Sequence, residues 1–123
     1  MYNLGSAASP DQADRVGRLV ARRPPRFPAA ARNEAGHQLH RVQCGLEPID
    51  WKPMKSLGVG VSEVRIRTGR EHRVFFLARF AEAVYVLHAF EKKSGKTARI
   101  DLEVGAQRLR AVLEQRARRR GDA

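Results

Sequence analysis

The chain has 123 residues, 42% of them hydrophobic, and its 24 lysines and arginines against 13 acidic residues give a formal net charge of +11 at pH 7. This length makes one domain, and the single cysteine, Cys44, excludes an internal disulfide framework and any zinc site built on several cysteines. No signal-like segment opens the sequence and no apolar run reaches the roughly 18 residues of a membrane span, so we expect a soluble, cytoplasmic protein.

The N-terminal segment, residues 1–26, differs in character from the rest of the chain. Its apolar spacing predicts a short helix over Asp11–Arg23, weakened by Gly17 near its middle. Prolines follow, and each removes a backbone N–H and biases its predecessor away from helix. We therefore predict a variable, partly disordered segment ahead of a single domain over residues 27–115, with a basic tail over residues 116–123.

A helical pattern begins after Pro28. Five apolar residues recur at intervals of four, four, three and four, as on one stripe of an α-helix: Ala31, Ala35, Leu39, Val42 and Leu46. Pro28 suits the first turn of a helix and Gly45 suits its end, so a helix is predicted over Pro28–Cys44. Residues 47–60, with two prolines and two glycines, predict a loop.

The middle of the chain predicts three β-strands joined by short turns. Val61–Arg67 alternates between apolar and polar residues, Thr68–Glu71 suits a hairpin loop, and Arg73–Phe80 forms the return strand. After a turn at Ala81–Glu82, the segment Ala83–Phe90 is apolar on both faces, which is typical of a central strand. The three strands together predict an antiparallel meander.

The last predicted element is a helix, whose apolar stripe is spaced by four, three and four residues: Leu102, Ala106, Leu109 and Leu113. Ser94 or Thr97 can cap its start, and Asp101 and Glu103 lie in its early turns. Its last turns are rich in arginine, which suits the negative end of the helix dipole. The elements predict an α+β fold, in which an N-terminal helical part packs on a small antiparallel meander with a C-terminal helix.

Standard catalytic and cofactor motifs are absent from the sequence. Gly58–Gly60 lacks the Gly-Lys-Ser/Thr ending of a phosphate-binding loop. His37 and His40 lie three residues apart on the predicted helix, but no acidic third ligand has the right spacing, so solvated surface histidines are expected. Cys44, at the helix end, is expected to be a small buried side chain. We therefore expect no metal and no cofactor.

Positive charge is concentrated on the predicted meander and the segment after it, where residues 65–99 hold nine basic side chains against three acidic ones. Alternation puts Arg65 and Arg67 on one face of their strand, and Arg73 is expected to face outward on the adjacent strand. Like charges on neighbouring strands destabilise a sheet, so a bound polyanion such as nucleic acid would relieve the repulsion. Two alternatives stay open: a solvated face with Glu63 as counter-ion, and a general preference for arginine in the source organism.

Six stretches of the sequence resemble one protein family: Ala35–Leu39, Trp51–Lys55, Glu63–Arg67, Arg73–Phe76, Ala83–Phe90 and Glu91–Thr97. The last two are the most specific, because Val-Leu-His-Ala-Phe followed by Lys-Lys and Lys-Thr is hard to reach by chance. From about Phe27 to Gln115 the chain resembles the RelE/HigB-like toxins of bacterial type II toxin–antitoxin systems, in the phage-derived branch of the RelE/ParE superfamily.

This resemblance implies a compact α+β fold and a function. It implies a toxin that is neutralised by an antitoxin of the helix-turn-helix type and that acts on the ribosome as a metal-independent mRNA endoribonuclease, without a cofactor. A sister branch instead inhibits DNA gyrase, so the fold alone does not decide the activity. The alternatives are therefore a non-catalytic gyrase inhibitor and a phage-derived, nucleic-acid-binding accessory protein.

The resemblance also implies site residues. Arg73 and Lys93 match residues that hold phosphate charge, and Arg65 matches a basic residue for positioning or proton transfer. Five further cations are implied to bind RNA: Arg67, Arg70, Lys92, Lys96 and Arg99. His72 and His88 are candidates for the base or acid of the reaction; the alternatives are a strand-edge residue for His72 and a hydrogen-bonded core histidine for His88.

Overall fold

A computed structural model describes residues 27–80, 82–93 and 95–121 of the chain. The predicted helix over Asp11–Arg23 and the candidate cap Ser94 lie outside the described residues. The described residues form two helices and four strands in this order: α1 (Ala29–Gln43), β1 (Trp51–Pro53), β2 (Val61–Thr68), β3 (Arg70–Phe80), β4 (Ala83–Glu91) and α2 (Arg99–Gly121). This order, with one antiparallel sheet, confirms the predicted α+β fold.

Helix α1 forms where the apolar stripe predicts it. The Arg32 amide donates to the Pro28 carbonyl over 2.9 Å, so the helix begins directly after a proline whose missing N–H is harmless at that position. Gly45 ends the helical segment with a φ of 84°, a left-handed conformation that favours glycine. Because the helix ends at Gln43, Leu46 leaves the predicted stripe and is 54% exposed.

The four strands pair in the order β1-β2-β3-β4, each antiparallel to its neighbour. Strand β1 lies within the segment predicted as a loop; its three residues are too few to show an alternating pattern, and pairing of Trp51 with Val64 holds it on β2. The hairpin between β2 and β3 is tighter than predicted, because Gly69 alone separates the strands, with a φ of 99°.

The position of β4 in the sheet differs from the prediction. Its apolar residues on both faces predicted a central strand, yet β4 lies at an edge of the sheet that the described residues form. Both faces are buried because a helix covers each of them. Val84 and Val86 pack with α1, and Tyr85 and Leu87 pack with α2. The Arg108 Nη1 also donates to the Leu87 carbonyl over 3.0 Å and ties α2 to this strand.

The sheet separates two hydrophobic clusters. The cluster on the α1 side consists of Phe27, Ala31, Ala35, Leu39, Val64, Ile66, Val74, Phe76, Val84 and Val86. The cluster on the α2 side consists of Val61, Phe75, Leu77, Ala83, Tyr85, Leu87, Phe90, Leu109 and Val112. Gly105 lets α2 approach closely, since a Cβ at this position would lie 2.9 Å from the Phe75 ring. Helix α2 is therefore docked tightly on its part of the sheet.

Helix α2 continues into the segment predicted as a basic tail and is helical as far as Gly121. Within this segment the Arg116 Nε donates to Oε2 of Glu82 over 2.6 Å, and the guanidinium lies 3.4 Å from the centroid of the Phe80 ring. The Tyr85 hydroxyl donates to the same carboxylate over 2.9 Å. These contacts fix the arginine-rich end of α2 to the turn between β3 and β4. Neither described helix combines the length and the apolar character that crossing a membrane requires.

The pairing of Arg116 with Glu82 predicts a pH-dependent contribution to stability. Hydrogen bonding to Arg116 lowers the pKa of Glu82 from its ordinary 4.5 to about 2. The pair therefore stabilises the folded protein above pH 4.5, and this stabilisation is lost as the pH falls towards 2. We expect Arg116→Gln to lower the melting temperature at pH 7, measured by circular dichroism, and the difference from the wild type to shrink steadily below pH 4.5. Arg118→Gln, at an exposed arginine nearby, is the control; a difference independent of pH would contradict the assignment.

Candidate functional site

Three of the predicted cations share the α2 side of the sheet, at the end next to the β2–β3 hairpin. The strand register places Arg65 opposite Arg73, and Arg73 opposite Phe90 on β4. Arg67 lies opposite Glu71, one pair nearer to the hairpin turn. Because side chains alternate along a strand, the three arginines share the face on which α2 packs further along the sheet.

Arg73 lies inside this face rather than on its surface. Its side chain is 5% exposed, and its Nη1 donates over 2.8 Å to Oε1 of Glu63, a carboxylate that is fully buried. Its Nε donates over 2.9 Å to Oε2 of Glu71, and this hydrogen bond lowers the pKa of Glu71. The prediction that Arg73 faces outward is wrong, because carboxylates on β2 and β3 neutralise the guanidinium and allow its burial.

Arg65 stands at the boundary between this buried network and solvent. Its side chain is 27% exposed, and its Nη1 lies 3.4 Å from Oδ1 of Asp50. Its Nε lies 3.9 Å from Oε1 of Glu63 and makes no hydrogen bond among the described residues. Arg67 is more exposed and lies 3.8 Å from Oδ2 of the same Asp50. The Arg65 Nε is itself buried, while the Arg65 side chain as a whole stays partly exposed.

The carboxylates change the electrostatic argument for a polyanionic ligand. The three arginines of this face are interspersed with three acidic side chains: Asp50, Glu63 and Glu71. The sheet thus needs no external anion to relieve the repulsion between neighbouring arginines. Glu63 is a counter-ion in the inner part of this face, as one of the two alternatives expected. Asp50 and Glu71 are further counter-ions that the spacing of residues does not predict.

Two more cations lie beside the network at the hairpin end of the sheet. Lys92 is half-buried, and its backbone amide donates over 2.8 Å to the Glu71 carbonyl, which holds the segment after β4 against β3. Arg70, next to the hairpin turn, alternates onto the opposite face of β3, is exposed and lies 3.4 Å from Oε2 of Glu91. We call the outer cations of this end the cationic rim: Arg67, Arg70, Lys92 and Lys93.

Two further predicted RNA-binding residues, Lys96 and Arg99, lie beyond the rim, between β4 and α2. Lys96 is exposed in the connecting segment, and so is Lys93 of the rim, which precedes it there. Arg99 begins α2, and its Nε lies 3.5 Å from Oε2 of Glu103 one turn later. The structure therefore brings Arg65, Arg67 and Arg73 together on one face, with the other rim residues around the hairpin end of the sheet, while Lys96 and Arg99 lie towards the start of α2.

His72 lies on the opposite face of the sheet from Arg65, Arg67 and Arg73. It pairs with Ile66 across the strands and is buried on the α1 side, where its ring centroid is 4.4 Å from that of Phe27. Its Nδ1 is buried and has no hydrogen-bond partner among the described residues. The structure therefore does not bring His72 to the face that holds the cations.

His88 shares the face of the cations and is hydrogen-bonded to a carboxylate. Its Nε2 lies 2.8 Å from Oδ1 of Asp101 in α2, and its ring stacks on Phe90 with centroids 4.9 Å apart. Burial lowers the pKa of His88 and outweighs the opposite effect of Asp101. The sequence does not identify Asp101 as a site residue. An acidic residue near the start of a helix is already accounted for by the helix dipole, and the partner of Asp101 lies 13 residues away.

Cys44 is exposed, which corrects the prediction of a small buried side chain. It follows the last turn of α1, and its Sγ lies 3.6 Å from Nε2 of His40. Within the described ranges, no three side chains of histidine, cysteine, aspartate or glutamate come together in an arrangement suited to a metal ion.

A family model described as Phage derived protein Gp49-like (DUF891) matches residues 25–110. The chain belongs to this family. The Gp49-like family is one of RelE-like toxins of toxin–antitoxin systems. No curated protein and no solved structure matches this Gp49-like chain. The match spans all four strands and the first half of α2, while the narrower assignment to RelE or HigB stays a prediction.

Proposed function

We propose that this Gp49-like protein is the toxin of a type II toxin–antitoxin system and inhibits translation by cleaving mRNA on the ribosome. Membership of the family supports the role as a toxin. The observation that carries the ribonuclease role is a half-exposed Arg65 above a buried ion-pair network, with the cationic rim beside it. Such a surface attracts the RNA backbone and offers a guanidinium to a single phosphate.

Cleavage of RNA without a metal ion has three chemical requirements. A base must take the proton of the 2′-hydroxyl, cations must stabilise the charge that develops on the phosphate, and an acid must protonate the leaving 5′-oxygen. We assign phosphate stabilisation to Arg65 and Lys93. The rest of the cationic rim, with Lys96 and Arg99, binds the RNA backbone on either side of the cleaved bond.

Arg73 enters this proposal with a different role from the one that the resemblance implied. Direct contact with a phosphate would require its guanidinium to leave Glu63 or Glu71. Glu63 is fully buried, so the loss of its nearest cation would be costly. We therefore assign Arg73 to holding the network that supports Arg65, and a phosphate contact by Arg73 would require an exchange of partners.

A toxin of this kind needs an antitoxin that keeps it inactive. We propose a partner of the helix-turn-helix type, in which an acidic and apolar segment covers the cationic rim, because opposite charge steers association and covers the residues that would bind RNA. The proposed targets are the ribosome and its mRNA. Both lie in the cytoplasm, which agrees with the location expected from the sequence.

Expression of the chain without its antitoxin is expected to arrest growth and to create new 5′ ends within translated mRNA. The measurement is mapping of RNA ends after induction, and the matched control is the same mRNA with its start codon removed, which ribosomes do not translate. Arrest with intact mRNA and inhibited DNA supercoiling would replace this proposal with gyrase inhibition. Normal growth at high expression would contradict both toxin activities and favour a nucleic-acid-binding accessory protein.

A further inference from the structure

A hydrogen-bonded pair, His88 and Asp101, lies next to the cationic network. The His88 Nε2 and the Asp101 Oδ1 are 2.8 Å apart, and their side chains are 16% and 20% exposed. We propose that His88 is the general base of the RNA cleavage and that Asp101 is the positioning residue that orients its ring. This inference rests on the proposed function and supplies a base, a role for which the always-charged guanidinium of Arg65 is unsuited.

The His88 ring is held in one orientation by three neighbours. Asp101, in the first turns of α2, binds its Nε2. Phe90 stacks on one face of the ring, with an angle of 19° between the planes, and the Phe75 centroid lies 6.3 Å away at a tilt of 54°. A ring fixed at one nitrogen and at one face turns its other nitrogen, Nδ1, in a defined direction.

The surroundings of His88 favour the form that accepts a proton. The charged side chains that face it come from α2: Asp101 favours the imidazolium, and Arg108 opposes it. The neighbours from β3 and β4, Phe75 and Phe90, carry no charge. Burial dominates and lowers the pKa of His88 from its ordinary 6.5, which favours the neutral ring at pH 7. With Nε2–H donating to the carboxylate, the lone pair lies on Nδ1, as a general base requires.

The strand register puts this ring on the same face of the sheet as the proposed phosphate site. His88 lies opposite Phe75, and Phe90 lies opposite Arg73, whose other neighbour is Arg65. His88 is therefore two residues along β4 from the row that contains Arg65, which corresponds to about 7 Å of strand, and it lies two strands across from Arg65, which adds about 10 Å sideways. A phosphate held at the end of the long Arg65 side chain would bring its ribose towards this ring.

The proposed step balances in atoms and charge. The His88 Nδ1 takes the proton of the 2′-hydroxyl, and the 2′-oxygen forms a bond to the adjacent phosphorus while the bond from phosphorus to the 5′-oxygen breaks. The departing 5′-oxygen takes a proton from water, and the imidazolium gives its proton to the hydroxide that remains. The products are a 2′,3′-cyclic phosphate and a free 5′-hydroxyl.

The test measures the cleavage of ribosome-bound mRNA by the purified chain between pH 4 and pH 9, for the wild type, His88→Gln and Asp101→Asn. We expect His88→Gln to lower the rate about 100- to 10,000-fold. In Asp101→Asn, the group that raises the pKa of His88 is lost, so the acidic limb of the pH–rate profile should move to lower pH as the rate falls. His37→Gln, an exposed histidine on the far side of the sheet, is the control and should keep the wild-type rate and profile.

A second measurement separates the inference from the function on which it rests. NMR titration of the His88 ring reports its pKa and tautomer without any substrate, and Asp101→Asn should lower that pKa. Cleavage by the wild type with an unchanged rate and pH profile in His88→Gln would overturn this inference alone. Absence of cleavage by the wild type would overturn the proposed function and the inference with it. A loss in His88→Gln that is restored by added imidazole supports the base directly.

Discussion

Arg73→Ala is expected to lower the free energy of unfolding by about 3–5 kcal/mol. The substitution removes the guanidinium that donates to Glu63 over 2.8 Å and to Glu71 over 2.9 Å. Glu63 is fully buried, and the nearest cation that remains, the Arg65 Nε, is 3.9 Å from it. An uncompensated carboxylate in the protein interior is one of the few single changes that destabilise a domain by several kcal/mol.

Urea denaturation measures this loss of stability, and two further variants serve as comparisons. Arg67→Ala changes a 63% exposed arginine of the same face and is expected to alter the free energy of unfolding by no more than about 0.5 kcal/mol. Arg73→Met combined with Glu63→Leu removes both buried charges and should recover most of the loss. If Arg73→Ala keeps the wild-type stability, the buried pair is not a stabilising feature and Arg73 is free to meet a phosphate.

This expectation alters how a loss of toxicity should be interpreted. If Arg73 faced outward, as the sequence predicts, loss of toxicity in Arg73→Ala would be evidence that Arg73 takes part in catalysis. With the side chain 5% exposed and paired twice, the same result follows from unfolding alone. Stability therefore has to be measured before activity is compared at this position.

The fold could be predicted largely because local patterns agree with it. The spacing of Ala31, Ala35 and Leu39 predicts α1, and the alternation around Val64 and Ile66 predicts β2. The position of β4 could not be predicted in this way. A strand with two apolar faces indicates two covered faces, and helices cover β4 as effectively as neighbouring strands would, so the pattern does not distinguish an edge from the centre.

The sequence predicts which residues of the candidate site share a face within a single strand, but not the contacts between elements. Alternation correctly puts Arg65 and Arg67 on one face, since it is a property of the backbone. Whether an arginine on that face meets solvent or a carboxylate depends on the residues that approach from other elements. Asp50 reaches Arg65 from 15 residues away, and Asp101 reaches His88 from a helix. Contacts of this kind follow from register and helix docking, which have no signature in spacing.

Arg65→Ala is expected to lower the rate of RNA cleavage about 100- to 1,000-fold, equivalent to about 2.7–4 kcal/mol of transition-state stabilisation, as when one donor to a developing oxyanion is removed. Arg65 is suited to this role because its side chain is 27% exposed, whereas the Arg73 guanidinium beside it is buried. Ribosome affinity should fall much less, because the cationic rim still supplies most of the attraction to RNA. Stability should change little, since Asp50 is itself 38% exposed and stays hydrated.

The measurements are cleavage, ribosome affinity and urea denaturation on the same preparation. Arg118→Ala is the matched control, because it removes an equal charge at the far end of α2, away from the hairpin end of the sheet, and should leave cleavage unchanged. Arg65→Lys keeps the charge but offers one ammonium in place of a planar fork, so partial activity would assign part of the effect to hydrogen-bond geometry. If cleavage and affinity fall in parallel in Arg65→Ala, this arginine only docks RNA. If neither falls, the phosphate is held elsewhere on the cationic surface, and Lys93→Ala becomes the variant that must lose activity.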